Sequence, residues 1–289
     1  MSRLGTRLAA HLLIAAAAFM GCALVISAQA DMFAESTAYE RFMGRWSRQL
    51  APLFVKFVGI GAKDAVLDVG SGTGVLALTI AESAPSARIV GIDPAAPYVK
   101  FAQSRVPGDR VRFEVGDAQK MSFADATFDR VLSLLVMNFI PDHGKALDEM
   151  IRVTRPGGVV GAVVWDYGGE MQMLRVFWDE AVARDPSIAK RDERHMPLCR
   201  SGELAALWRA HGLREVVEQP LTFTMTFASF DDFWEPFLGG QGPAGAYAAK
   251  LPEADRADLA ARLRKRLLGG RADGSIALQA RAWAVRGLK

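Results

Sequence analysis

The chain has 289 residues, 51% of them hydrophobic, and 35 Lys and Arg against 32 Asp and Glu leave a net charge of +3. That length buries a sizeable core and fits one elaborated α/β domain. The charge falls far short of the dense basic surface needed to hold nucleic-acid phosphates, so no nucleic-acid partner is expected. Cys22 and Cys199 are the only cysteines, too few for a disulfide framework or a cysteine-built zinc site, and no metal is expected.

At the N-terminus Arg3 and Arg7 precede an apolar run from Leu12 to Ile26 that ends in Ser27-Ala28-Gln29-Ala30. This leader, residues 1–31, has the form of a secretory signal peptide. Counted from Leu8 it is also just long enough for a membrane anchor, and a start at Met32 would remove it altogether. Tyr39 to Trp46 then carries aromatic and basic residues at helical spacing, and a second helical stretch runs from Ser47 to Val58. The simplest role for Tyr39, Phe42 and Trp46 is packing under the edge of a sheet.

Ala65 to Val69 is a short apolar run broken by Asp68, followed by Gly70, Gly72 and Gly74 and then by the apolar residues Val75 to Ile80. The order is strand, tight turn, helix. Glycines at every second position admit left-handed dihedrals and bring bare backbone N–H groups toward a ligand at a helix N-terminus. The dinucleotide fingerprint needs glycine where this chain has Val75, which favours a nucleoside with an amino-acid tail over NAD. Ile89 to Asp93 is a second apolar strand ending in an acid that can accept from ribose hydroxyls, and Val111 to Val115 is a third, ending in Gly116-Asp117-Ala118.

The fourth strand, Arg130 to Val136, is nearly continuous in apolar residues, as a buried central strand should be. Lys145 to Val153 reads as a helix ended by Arg155-Pro156-Gly157-Gly158, with Val159 to Trp165 as strand five. Met171 to Arg184 is helical in pattern, and Arg191 to His195 is a mixed charge run read as a solvated face. Ser201 is placed to cap a helix that runs to His211 and stops at Gly212. Leu221, Phe223, Met225 and Phe227 alternate with threonines in a half-exposed strand, and Ser275 to Arg286 is another. Between them Ser229 to Asp232 has capping-box spacing, Gly239 to Gly245 is a Gly-Pro loop, and a helix from Pro252 to Leu268 carries Arg262, Arg264, Lys265 and Arg266. Those cations read as a solvated face rather than a lipid-binding patch.

The stretches VLDVGSGTG, VGIDPA, GDAQKMSFADATFD and LDEMIRVTRPGGVV, in that order over roughly Tyr39 to Trp165, resemble the motifs of class I S-adenosylmethionine-dependent methyltransferases, in the group that includes quinone and small-molecule enzymes. The resemblance implies a Rossmann-like, doubly wound α/β sheet of seven strands, mostly parallel with an antiparallel C-terminal strand. Residues 32–60 would form a lid bearing Tyr39, Phe42 and Trp46, and insertions at about 167–200 and 229–270 would cap the acceptor site. The cofactor would be S-adenosylmethionine, held by Asp68, Gly70, Gly72 and Gly74 at its methionine end, Asp93 and Pro94 at the ribose, and Asp117, Ala118, Ser133 and Leu134 around adenine.

The acceptor is expected to be a small molecule, and His143, Asp166, Tyr167 and His195 are the polar residues best placed to face it, with a structural role the better expectation for each. Asn138 and Phe139 stand where many quinone-type relatives have two histidines. S-adenosylmethionine is made in the cytosol, so the catalytic domain is expected there, with membrane attachment or export through the leader as alternatives. A nicotinamide-dependent oxidoreductase and a non-catalytic, membrane-tethered nucleoside-binding module are the rival readings; no Tyr-x-x-x-Lys pair supports the first.

Overall fold

The computed structural model describes residues 36–106 and 108–289, so the leader at 1–31 and the start at Met32 lie outside the described residues. Among the described residues no helix is long and apolar enough to cross a membrane.

Strand β1 (Ala65–Val69) is buried along its whole length and lies between β2 (Arg88–Asp93) and β4 (Phe128–Leu134), parallel to both. Strands β3 (Val111–Val115) and β5 (Thr154–Trp165) extend the parallel sheet on either side. Strand β7 (Ile276–Leu288) pairs antiparallel with β5, and β6 (Arg214–Phe227) pairs antiparallel with β7. The order β3-β2-β1-β4-β5-β7-β6 is the expected seven-stranded sheet. Its direction of winding reverses between β1 and β4, and a crevice opens there beyond the strand ends.

The strands differ as their sequences do. In β6 the side chains of Leu221, Met225 and Phe227 are buried while the threonines between them are exposed, as befits an edge strand with one face on the core. Strand β4 stops at Leu134, two residues earlier than expected, because Leu135 turns the chain at φ 64°. Strand β5 begins at Thr154, so Arg155 to Gly158 lie within it rather than before it. Thr154 pairs with Phe128, and the register shifts before Val159 meets Arg130.

Two local expectations are corrected. Ser201 caps nothing: the helix Glu203–Ala210 has Gly202 at its N-cap without a side-chain bond. Instead the Glu218 carboxylate on β6 accepts from the N–H groups of Gly202 and Ala205, the latter at 2.8 Å, which satisfies helix-end donors from another element. The run Arg191 to His195 is a solvated face only at Arg191, Arg194 and His195, because Asp192 and Glu193 are each only 4% exposed. Arg175 on the helix Gln172–Arg184 binds Asp192 through two hydrogen bonds of 2.7 and 2.8 Å, and Trp178 Nε1–H donates to Glu193 at 2.6 Å. A buried cation and a buried indole draw the acids inward. Ser229 does cap its helix, accepting from Asp232 N at 3.2 Å.

An aromatic cluster joins the late segments to the N-terminal one. Phe237 stacks on Phe177 with ring centres 4.6 Å apart, and Phe42 meets Phe237 edge-on at 5.1 Å. Three cations of the helix Glu253–Leu268 are paired: Arg262 with Asp258, Arg264 with Asp273, and Arg266 with Asp179 and Glu180. That leaves little free positive charge for a lipid surface.

Candidate functional site

A cavity of about 360 Å3 lies beyond the C-terminal ends of β1, β2 and β4, a size ordinary for small-molecule sites. Gly72, Asp93 and Asp117, from three different strand ends, all line it, as do Asp68, Gly70, Pro94, Ala118 and Leu134. Tyr39, Phe42 and Tyr167 line it too.

Other residues singled out from sequence sit elsewhere. Ser133 is buried within β4 and does not line the cavity. Gly74 starts the helix Val75–Ser83 at φ 87°, and a Cβ there would meet the Phe113 ring at 2.9 Å. Trp46 packs edge-on against Phe227 at 5.0 Å, with the Arg45 guanidinium 4.2 Å above its ring. Asp166 is buried in an ion pair with Arg281 and accepts from Glu170 N. His143 begins the helix His143–Val153 outside the lining, and His195 is exposed.

The three glycines of the loop do not present bare donors, contrary to expectation. Gly70 N and Ser71 N both donate to Ile92 O at 2.8 and 2.9 Å, Gly72 N donates to Asp93 Oδ2 at 2.9 Å, and Gly74 N donates to Ser71 O at 2.8 Å. The first three of these N–H groups join the loop to β2, and the fourth closes a turn within the loop. What the glycines supply is room: at Gly72, with φ 51°, a Cβ would point into open space with no protein atom within 4 Å. A ligand can therefore approach the backbone closely there.

The electrostatics fit a ligand with a cationic tail. Asp68 Oδ2 accepts from Ala77 N at 3.1 Å, but its buried Oδ1 has no partner. Burial pushes this carboxyl up to about 7, the Ala77 bond opposes the rise, and the charge of Asp93 adds to it. A buried acid short of one partner suits an ammonium group. The hydroxyls of Ser71 and Tyr98, both on lining residues, also lack partners. Asp93 is raised by burial against its bonds from Ala95 and Gly72.

The N-terminal segment reaches this rim. Glu40, in the π-helical turn Glu40–Gly44, accepts from the Thr73 hydroxyl and from Arg48, and Arg105 lies 3.8 Å away. Tyr39 packs on Tyr98 with ring centres 5.8 Å apart, and burial pushes its phenol up to about 12. Glu40, Ser71, Tyr98, Leu135 and Glu193 were not singled out from sequence. The left-handed turn at Leu135 has no sequence signal, while Ser71 sat inside the glycine motif and could have been taken with it.

Residues 67–161 match the family model for a methyltransferase domain. Over those residues the chain is a methyltransferase domain. The methyltransferase domain is 38% identical over 116 residues to demethylmenaquinone methyltransferase of Thermus thermophilus, covering 39% of this chain and 51% of that one. It is 36% identical over 122 residues to an uncharacterised protein of Mycobacterium tuberculosis, covering 42% of this chain and 44% of that one. The matched segment thus spans about half the length of these curated relatives. Among solved structures, the YcgJ protein of Bacillus subtilis aligns with a TM-score of 0.56 at 22% identity, over 83% of this chain and 99% of that one. Phosphoethanolamine N-methyltransferase 2 of Haemonchus contortus, solved with S-adenosylhomocysteine, gives 0.55 at 20% identity, over 89% and 57%. At such identities the structural likeness speaks for the fold.

Proposed function

We propose that the protein transfers a methyl group from S-adenosylmethionine to a small, largely apolar molecule. The observation that carries this reading is the meeting of Gly72, Asp93 and Asp117 in one cavity with the partnerless Oδ1 of Asp68. In it Asp68 receives the ammonium of the cofactor, Asp93 the ribose hydroxyls, and Asp117 with Ala118 the adenine. S-adenosylmethionine supplies a methyl group on a sulfonium, already a good leaving group. The chain's work is then to bind, orient and exclude water, which can carry most of the rate of an in-line displacement.

Tyr39 and Phe42 serve as the lid in this reading, tied down through Glu40. The segment holding Gly242 and Pro243, also in the lining, serves as the cap over the acceptor. Support for a small acceptor comes from the aromatic lining and from the quinone methyltransferases among the relatives. The supply of cofactor favours a cytoplasmic catalytic domain. Calorimetric titration with S-adenosylhomocysteine and with NADH tests the reading: binding of the first and not the second is expected, and the reverse would overturn it.

A further inference from the structure

Four acids line the cavity: Asp68, Asp93, Asp117 and Glu193. The cofactor reading uses the first three. Glu193 lies on the segment after β5, and its bonding partners are two neutral donors, Trp178 Nε1–H at 2.6 Å and the N–H of Ala244. The nearby cation, Arg175, is occupied: it binds Asp192 through two bonds and donates to Tyr167 O at 2.9 Å. One guanidinium thus fixes the backbone beside both Tyr167 and Glu193, which line the same cavity. Phe42, Trp165 and Pro243 are apolar residues lining the same cavity.

A carboxyl kept in an apolar wall without a cation is costly to bury and invites a polar partner from the ligand. We propose that Glu193 is the proton acceptor for the methyl acceptor, which is a neutral, ring-bearing molecule with a weakly acidic hydroxyl. This rests on the methyltransferase reading and adds to it the role of one residue and the class of acceptor. A neutral hydroxyl enters an apolar wall at far lower cost than an ammonium group does. As the acceptor's electron pair forms its bond to the methyl carbon, its O–H proton passes to the Glu193 carboxylate. The electrons of the broken carbon–sulfur bond stay on sulfur, and Glu193 later returns the proton to water.

Burial pushes Glu193 up to about 7, against the bond from Trp178 and with help from the charge of Asp192. That value suits a base working near neutral pH. The titratable and charged groups around it are Asp192, Arg175, Tyr167 and Cys199, and Glu193 in turn raises the Tyr167 phenol.

The test uses para-nitrophenol, whose absorbance distinguishes phenol from phenolate, added to the full chain saturated with S-adenosylhomocysteine. Wild type should bind the probe largely as phenolate at neutral pH, with an infrared band for a newly protonated carboxyl. Glu193→Gln should cut the bound phenolate about tenfold and abolish the band, while Glu193→Asp restores part of both. Affinity for S-adenosylhomocysteine should be unchanged in both variants. A probe that fails to bind wild type, or that binds equally ionised in wild type and Glu193→Gln, overturns the proposal. Failure of S-adenosylhomocysteine itself to bind would instead overturn the cofactor reading.

Discussion

The carboxylate of Asp93 is bonded to the backbone of Gly72, with Oδ2 accepting at 2.9 Å, while its Oδ1 accepts from Ala95 N at the same distance. The acid at the end of β2 therefore holds the glycine loop in place and keeps its remaining lone pairs for a ligand. Asp93→Ala should lose at least about tenfold in affinity for S-adenosylhomocysteine, and should also lose about 1–3 kcal/mol of stability through two stranded backbone donors. Asp93→Asn keeps the shape and separates the two effects, with affinity falling more than stability. Calorimetry beside urea unfolding reads both quantities, and full affinity in both variants would remove Asp93 from the site.

Glu40 bridges the N-terminal segment and the glycine loop through the Thr73 hydroxyl, and its side chain is only 17% exposed. A charge-assisted bond in such a place is worth about 1–2 kcal/mol after allowance for screening by Arg48 and Arg105. Glu40→Gln should release S-adenosylhomocysteine about tenfold faster with little change in its rate of binding. Stopped-flow displacement measures the two rates separately, and an unchanged release rate would show that the contact does not govern closure.

Asp68 gives a pH dependence whose sign follows from its raised folded-state value of about 7 against an ordinary 3.8. Between those values the folded chain keeps a proton that the unfolded chain has lost, so stability falls as pH rises through that window and levels off above about 7. The fall due to this group is on the order of 4 kcal/mol. Glu193 acts in the same direction, so the comparison of wild type with Asp68→Asn isolates Asp68. An ammonium-bearing ligand prefers the ionised acid, so affinity for S-adenosylhomocysteine should strengthen from pH 6 to pH 8 and its binding should release a proton. Calorimetry in buffers of differing ionisation heat detects that proton, and Asp68→Asn should abolish both trends.

The Arg175–Asp192 pair is buried at both ends, at 7% and 4% exposure. Arg175→Met leaves the Asp192 charge with Arg194 alone, which bonds it through Nε at 2.6 Å. The expected loss is about 3 kcal/mol, near the lower figure for breaking a buried pair. Adding Asp192→Asn should recover part of it. Urea unfolding of the three variants forms the comparison, and a loss below about 1 kcal/mol in Arg175→Met would mean that solvent reaches the pair.

The parallel half of the sheet was legible because local pattern and final position agree there. Strands β1, β2 and β3 end in acids or glycine, at Gly70, Asp93 and Gly116-Asp117, and in a parallel sheet such ends gather on one rim. Element ends were less legible: Leu135 holds a left-handed turn that its side chain disfavours, maintained by the bond from its N–H to Val163 O. The donors capping the helix Glu203–Ala210 meet a glutamate on β6, 13 and 16 residues further along the chain.

By itself the sequence determined the alternation of strands and helices and carried the resemblance to methyltransferases, since apolar periodicity and the spacing of Asp68, Gly72, Asp93 and Asp117 are local properties. Only the tertiary structure decided which donors of the glycine loop were already spent and which wall of the cavity held Glu193. Whether a charged residue faces water or the core depends on what packs over it. For Asp192 and Glu193 that was Arg175 and Trp178, on a helix earlier in the chain whose own sequence does not announce the contact.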